Sequence, residues 1–115
     1  MLKRRKTKID PTASDCPLET CMRFISGTWT ANILWVLYHN PRRFSELRTD
    51  MPKVSAKVLS ARLKRMEKSG LINRTQLKTS PPSVEYSLTE LGRELKPVIA
   101  AVIKVGEKLR QQRLA

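Results

Sequence analysis

The sequence predicts a mainly α chain carrying one small β-hairpin wing, an α+β fold of the winged helix-turn-helix type. Three observations predict it. A short apolar-periodic segment over residues 44–51 is followed, after a turn at Pro52, by a longer one over residues 55–69, as in a helix-turn-helix. In the longer segment Leu59, Leu63 and Met66 stack on one face, while Lys57, Ser60, Ala61, Lys64 and Lys68 fall on the opposite one. Two extended runs, Leu71 to Lys78 and Ser83 to Leu88, flank the turn formers Thr79 to Pro82 and make a hairpin.

A chain of 115 residues has room for one domain and one core. Its 23 basic and 10 acidic residues give a net charge of +13, an excess that points to a polyanionic partner. Residues 53–74 carry seven Lys or Arg against Glu67 alone, and residues 3–8 add five more. The apolar runs Ile33 to Tyr38 and Pro97 to Ile103 fall short of the roughly 18 residues of a membrane span. The basic start leads into Asp10-Pro11-Thr12 rather than an apolar stretch, so no signal peptide is expected and the chain is expected to be cytoplasmic. A basic helix can also lie on an anionic membrane, but this one has no bulky anchor beyond its core face.

Taken in order, residues 1–14 read as a flexible basic arm, and residues 15–115 as the domain. Pro17 suits the first position of a helix capped by Cys16 or Asp15, with Leu18, Met22 and Ile25 at helical spacing and Gly27 ending it. Thr28 is expected to cap a second helix, with Trp29, Ile33, Val36 and Leu37 as its apolar stripe up to Asn40-Pro41. The third runs from Phe44 to Met51 with Leu47 and Met51 inward. The fourth takes Ser55 as N-cap and Gly70 as its left-handed terminator. Thr89 then caps a last helix of about residues 89–112, with Glu90 in its first turn and a kink expected at Pro97. In that helix Leu91, Leu95, Val98, Val102, Val105 and Leu109 form a stripe that a domain this small cannot cover alone, so it calls for a partner helix.

Several segments carry a specific resemblance: Cys16-Pro17-Leu18-Glu19, Gly27-Thr28-Trp29, Pro41-Arg42-Arg43-Phe44-Ser45-Glu46-Leu47, Val54-Ser55, Arg62-Leu63, Pro81-Pro82, Val84-Glu85-Tyr86 and Leu88-Thr89-Glu90-Leu91-Gly92. Over about residues 16–109 the chain resembles the HxlR family of bacterial and archaeal transcription regulators. The resemblance implies a homodimeric winged-helix DNA-binding protein, paired through its first and last helices, that represses or activates genes. Thr28 and Ser83 stand where the family usually has basic residues, which leaves more of the phosphate grip to Lys78, Arg74 and the basic arm.

A helix entering the major groove by its N-terminus puts Ser55, Ala56, Lys57, Ser60 and Ala61 nearest the bases and Lys64 and Arg65 nearer the backbone. Arg42 and Arg43, ahead of the third helix, suit phosphate contact as well as plain solvation. In the wing, Lys78, Thr79, Ser80 and Ser83 are candidates for phosphate or minor-groove contact, although Thr79, Ser80 and Ser83 are turn formers first. Arg62 faces partly inward, for packing or for phosphate. Leu18, Met22, Leu95, Val98, Val102, Val105 and Leu109 are the expected dimerisation residues.

Cys16, at a helix N-terminus, is the candidate redox sensor, with a plain buried role at a dimer interface as the alternative. The family resemblance adds that some members sense oxidants or electrophiles with the matching cysteine. Cys21 lies outside the family pattern, and five residues along one helix put the two alpha carbons too far apart for an intrachain bridge. His39 and the cysteines show no metal-ligand spacing, and no catalytic pairing or phosphate-binding glycine loop is present in the sequence, so no enzyme, metal or cofactor is expected. The partners expected are double-stranded DNA with a pseudo-palindromic operator, a second copy of the chain, and a small-molecule or oxidant effector. Trp29 and Trp35 read as core. The competing reading is a basic RNA-binding or ribosome-associated winged helix, disfavoured by the lack of an aromatic stacking platform.

Overall fold

The computed structural model describes residues 16–114, so the basic arm and Asp15 lie outside the described residues. The elements run α1 (Pro17–Ile25), α2 (Thr30–Leu37), β1 (Arg42–Arg43), α3 (Phe44–Asp50), α4 (Ala56–Lys68), β2 (Ile72–Leu77), β3 (Ser83–Leu88), α5 (Glu90–Glu94) and α6 (Lys96–Leu114). One apolar core joins them. Ile33, Leu34 and Leu37 of α2 meet Leu47 of α3, Leu59, Leu63 and Met66 of α4, Leu71, Ile72 and Leu88 at the root of the wing, and Leu95 and Ile99 near the start of α6.

The junction of α1 and α2 departs from expectation. α1 stops at Ile25 with Ser26 as C-cap, and Trp29 rather than Thr28 is the N-cap of α2, with φ of 68° and no side-chain cap. A left-handed conformation costs a non-glycine residue on the order of 1–2 kcal/mol. The Trp29 indole packs against the core, so tertiary burial outweighs the local capping preference. Gly27 is needed for space, since a Cβ there would stand 2.8 Å from both Arg62 Nη1 and Thr30 Oγ1.

The wing belongs to a three-stranded antiparallel sheet of order β1-β3-β2. β2 and β3 pair in the expected hairpin, from Ile72 opposite Leu88 to Leu77 opposite Ser83. The added strand sets Arg42 opposite Tyr86 and Arg43 opposite Glu85. Two residues carry no readable periodicity, which is why this strand was not expected from the sequence.

The last helix is broken into two. Thr89 caps α5 by accepting from the Gly92 N–H (3.1 Å), but the helix ends with Leu95 as its C-cap and α6 starts at Lys96. Pro97 therefore sits in the first turn of a new helix instead of kinking a continuous one, because it has no N–H to give and its ring would crowd the carbonyl four residues back. Leu95 is also corrected: at 8% exposure it belongs to the subunit's own core and is not available to a partner.

A knot of polar contacts fixes the wing root to α5. The Thr89 hydroxyl donates to the Gly70 carbonyl (2.6 Å), the Thr89 N–H bonds the Leu71 carbonyl (3.1 Å), and the Tyr38 hydroxyl donates to the Gly92 carbonyl (2.6 Å). Burial pushes the Tyr38 phenol up to about 12. Gly92 is buried so tightly that a Cβ would fall on the Leu71 carbonyl oxygen and within 3.1 Å of Leu88 Cδ2. Gly92→Ala is therefore expected to lower stability by about 1–3 kcal/mol despite alanine's better helix propensity, read as an earlier midpoint in urea unfolding.

Candidate nucleic-acid interface

The geometry starts in the turn between α3 and α4. Met51 and Val54, both buried, pin its two ends, and the Val54 N–H bonds the Met51 carbonyl (3.1 Å). Pro52 and Lys53 bulge outward between them. Ser55 follows in extended conformation and its hydroxyl accepts from the Val58 N–H (3.2 Å), starting α4 as expected. Gly70, with φ of 82°, ends it.

Along α4, Leu59, Leu63 and Met66 are 0%, 1% and 2% exposed. Their burial leaves Lys57, Ala61, Lys64 and Lys68 in solvent, joined by Arg65 on one flank. Ser60 and Ala56, assigned to the open face, sit half-buried at its edge. Val58 is a residue the sequence reading missed: at 44% exposure it stands in the first turn on the open side. Its signal was an apolar residue out of phase with the core stripe.

The flanking cations divide. The Arg42 guanidinium is held at ion-pair distance from Asp50 (3.4 Å) and Glu46 (3.9 Å), although its Nε makes no aligned hydrogen bond. Glu46 also accepts from the Arg43 N–H (2.9 Å), which leaves the Arg43 side chain exposed at the start of α3. At the wing tip the Thr79 hydroxyl donates to the Pro81 carbonyl (2.7 Å) and lies 3.2 Å from the Ser83 hydroxyl, so both serve the turn. Lys78 and Ser80 are exposed there, as is Arg74 on β2.

A short helix, a pinned turn, a helix with a cationic outer face and a hairpin, in that order, find matches among known proteins. Residues 24–113 match the model of the family described as HxlR-like helix-turn-helix. The chain belongs to the HxlR family. It is 40% identical over 114 residues to the HTH-type transcriptional regulator YdeP of Bacillus subtilis (strain 168), covering 96% of this chain and 89% of that one. A solved MarR-family regulator from Porphyromonas gingivalis W83 superposes with a TM-score of 0.80 at 34% identity, covering 86% of this chain and 97% of that one. The redox regulator HypR in its oxidised form superposes with a TM-score of 0.76 at 33% identity, over 81% of this chain and 96% of that one. The HxlR-family chain is thus a DNA-binding transcriptional regulator of winged helix-turn-helix fold.

Two further surfaces of this HxlR-family protein are open. α1 buries no residue fully, and it exposes Leu18 (67%) and Met22 (44%). α6 has two apolar sides: Ile99 and Ile103 face the core, whereas Val98, Val102, Val105 and Leu109 are exposed. Trp29 and Trp35 are half-buried, pack on the core, and line an apolar cavity of about 480 Å³ between α2, the α3–α4 turn and α6. Cys16 is the N-cap residue of α1, free and half-buried, and makes no side-chain cap bond; Cys21 is also free. Among the described residues there is no His, Cys, Asp or Glu cluster able to hold a metal, and no helix is long and apolar enough to cross a membrane.

Ser55 separates capping from groove contact. Ser55→Ala is expected to lower stability by about 1 kcal/mol, whereas Ser55→Asp keeps the cap and the stability while its charge drives DNA away. Thermal unfolding and a DNA titration on both variants check this.

Proposed function

We propose that the chain acts as a homodimer placing one α4 per subunit in successive major grooves of a pseudo-palindromic operator, about one helical turn apart. The observation that carries this reading is the one-sided burial of α4, which leaves its cationic side free of the subunit's own packing. Ser55, Ala56, Lys57, Ser60 and Ala61 then lie toward the bases, with Val58 able to meet a thymine methyl. Lys64, Arg65 and Arg43 take backbone phosphates, and Lys78, Thr79, Ser80 and Ser83 bring the wing alongside. Arg42 acts chiefly by holding α3 through Asp50 and Glu46.

Leu18 and Met22 of one subunit and Val98, Val102, Val105 and Leu109 supply the dimer surface, since exposed stripes on both terminal helices gain burial only against a second copy. The role is binding rather than catalysis, carried out on genomic DNA in the cytoplasm. Lys57→Ala is expected to relax preference between operator and random DNA, a loss of about 1–3 kcal/mol on operator alone. Lys64→Ala is expected to weaken both sequences alike and to lower the salt slope by about 1. Titrations at two salt concentrations decide this, and equal losses on both sequences for Lys57→Ala would reject base reading.

Cys16 supports a second layer, release of DNA on oxidation or electrophile addition, favoured by its free thiol at the start of an α1 assigned to the dimer surface and by the likeness to the redox regulator HypR. A quinone adding to the Cys16 sulfur is expected to weaken DNA binding about tenfold, about 1.4 kcal/mol, in the wild type and to leave Cys16→Ser unaffected. Equal weakening of both proteins would remove Cys16 as the sensor.

A further inference from the structure

Behind the groove face, the corner between α1, the Gly27–Thr30 turn and the C-terminal half of α4 gathers positive charge around an open space. Arg23 of α1 and Arg62 and Arg65 of α4 line a cavity of about 140 Å³ together with Thr30 and Ser69, and no carboxylate is among its lining residues. The ion pairs among the described residues involve Arg42 alone, so none of these three arginines has an acidic partner there. The Arg62 Nε is shielded from solvent and has no hydrogen-bond partner. Its guanidinium passes close to Gly27, where a Cβ would stand 2.8 Å from Arg62 Nη1.

Such an arrangement is costly when empty. A buried donor without an acceptor costs about 1–3 kcal/mol, and converging like charges add to it. An anion offering several acceptor oxygens offsets the like charges and can accept hydrogen bonds from the terminal guanidinium nitrogens. The cavity, about 140 Å³ and open to solvent, has room for a tetrahedral oxyanion, and arginine forks match phosphate oxygens two at a time.

We propose that Arg23, Arg62 and Arg65 form a phosphate socket, with the Thr30 and Ser69 hydroxyls beside it. One source of the phosphate is the DNA backbone, a version that rests on the reading of α4 as the groove helix. Arg62 and Arg65 lie six and nine residues beyond Ala56, thus about 9 and 13 Å along the helix axis, close to the roughly 12 Å width of the major groove. A phosphate bordering the groove is then within reach of long side chains. A free phosphate-bearing small molecule offers the same chemistry.

The test compares the full-length wild type with the double variant Arg23→Gln/Arg65→Gln, both changes being at exposed positions. Without DNA, inorganic phosphate at ten times its dissociation constant is expected to raise the wild-type melting temperature by about 5 °C over sodium chloride of equal ionic strength, and the double variant's by clearly less. The general salting effect of phosphate acts on both proteins and drops out of the difference. On a mixed-sequence duplex, a salt slope lower by about 1 in the single variant Arg23→Gln, whose side chain has no part in the proposed groove contacts, assigns the socket to DNA phosphate. An unchanged slope with the phosphate response still lost assigns it to a free phosphate compound. Equal phosphate responses in the two proteins overturn the socket whatever the slope does. The phosphate arm needs no DNA, so it stands even if wild-type protein binds no duplex.

Discussion

The structure depends on the inward lock of α4. Leu59, Leu63 and Met66 are the contacts through which that helix joins the core, and each is almost wholly removed from water. Burying each side chain stabilises the fold by about 1.5–3 kcal/mol, more than any surface charge pair supplies. A helix held that firmly has no rotational freedom, so the lysines opposite are set by packing and not by their own interactions. The pinned Met51 and Val54 then fix where the helix begins, and Ser55 fixes its first turn.

A second constraint links the wing to the terminal helices. Thr89 and Gly92 press α5 onto the Gly70-Leu71 carbonyls at the end of α4, and Tyr38 ties the end of α2 to the same point. Ile99 and Ile103 carry that attachment on into α6, whose other side is bare. α4, the wing and the core-facing side of α6 thereby meet at one packed junction. In the homodimer proposed above, a change in how the two subunits sit on each other would move their α4 helices relative to each other.

What could be read in the sequence was what is encoded locally. α4 showed a 3.6-residue apolar period, a capping serine and a terminating glycine, and its limits agree with the structure. The hairpin strands were legible from their turn residues, with Ser83–Leu88 placed as expected. Features set by distant packing were not. Trp29 adopts a left-handed conformation where its half-buried ring packs against the core, and β1 exists only because β3 lies beside it. Leu95 fitted the spacing of the outer stripe, but α6 and its approach carry two apolar sides, and spacing cannot say which one turns inward. The cationic face was legible by residue type, whereas the pairing of Arg42 with Asp50 and the shielded Arg62 Nε arise from folding.

Guanine N7 lies in the floor of the major groove, so its methylation by dimethyl sulfate reports directly on what fills that groove. On a DNA fragment selected by the purified protein, the account predicts two windows of protected N7 atoms about one helical turn apart on one face of the duplex, both lost when Lys57 and Lys64 are changed to glutamate. Protein that remains bound while every N7 stays reactive would contradict the claim that the outer face of α4 lies in the groove.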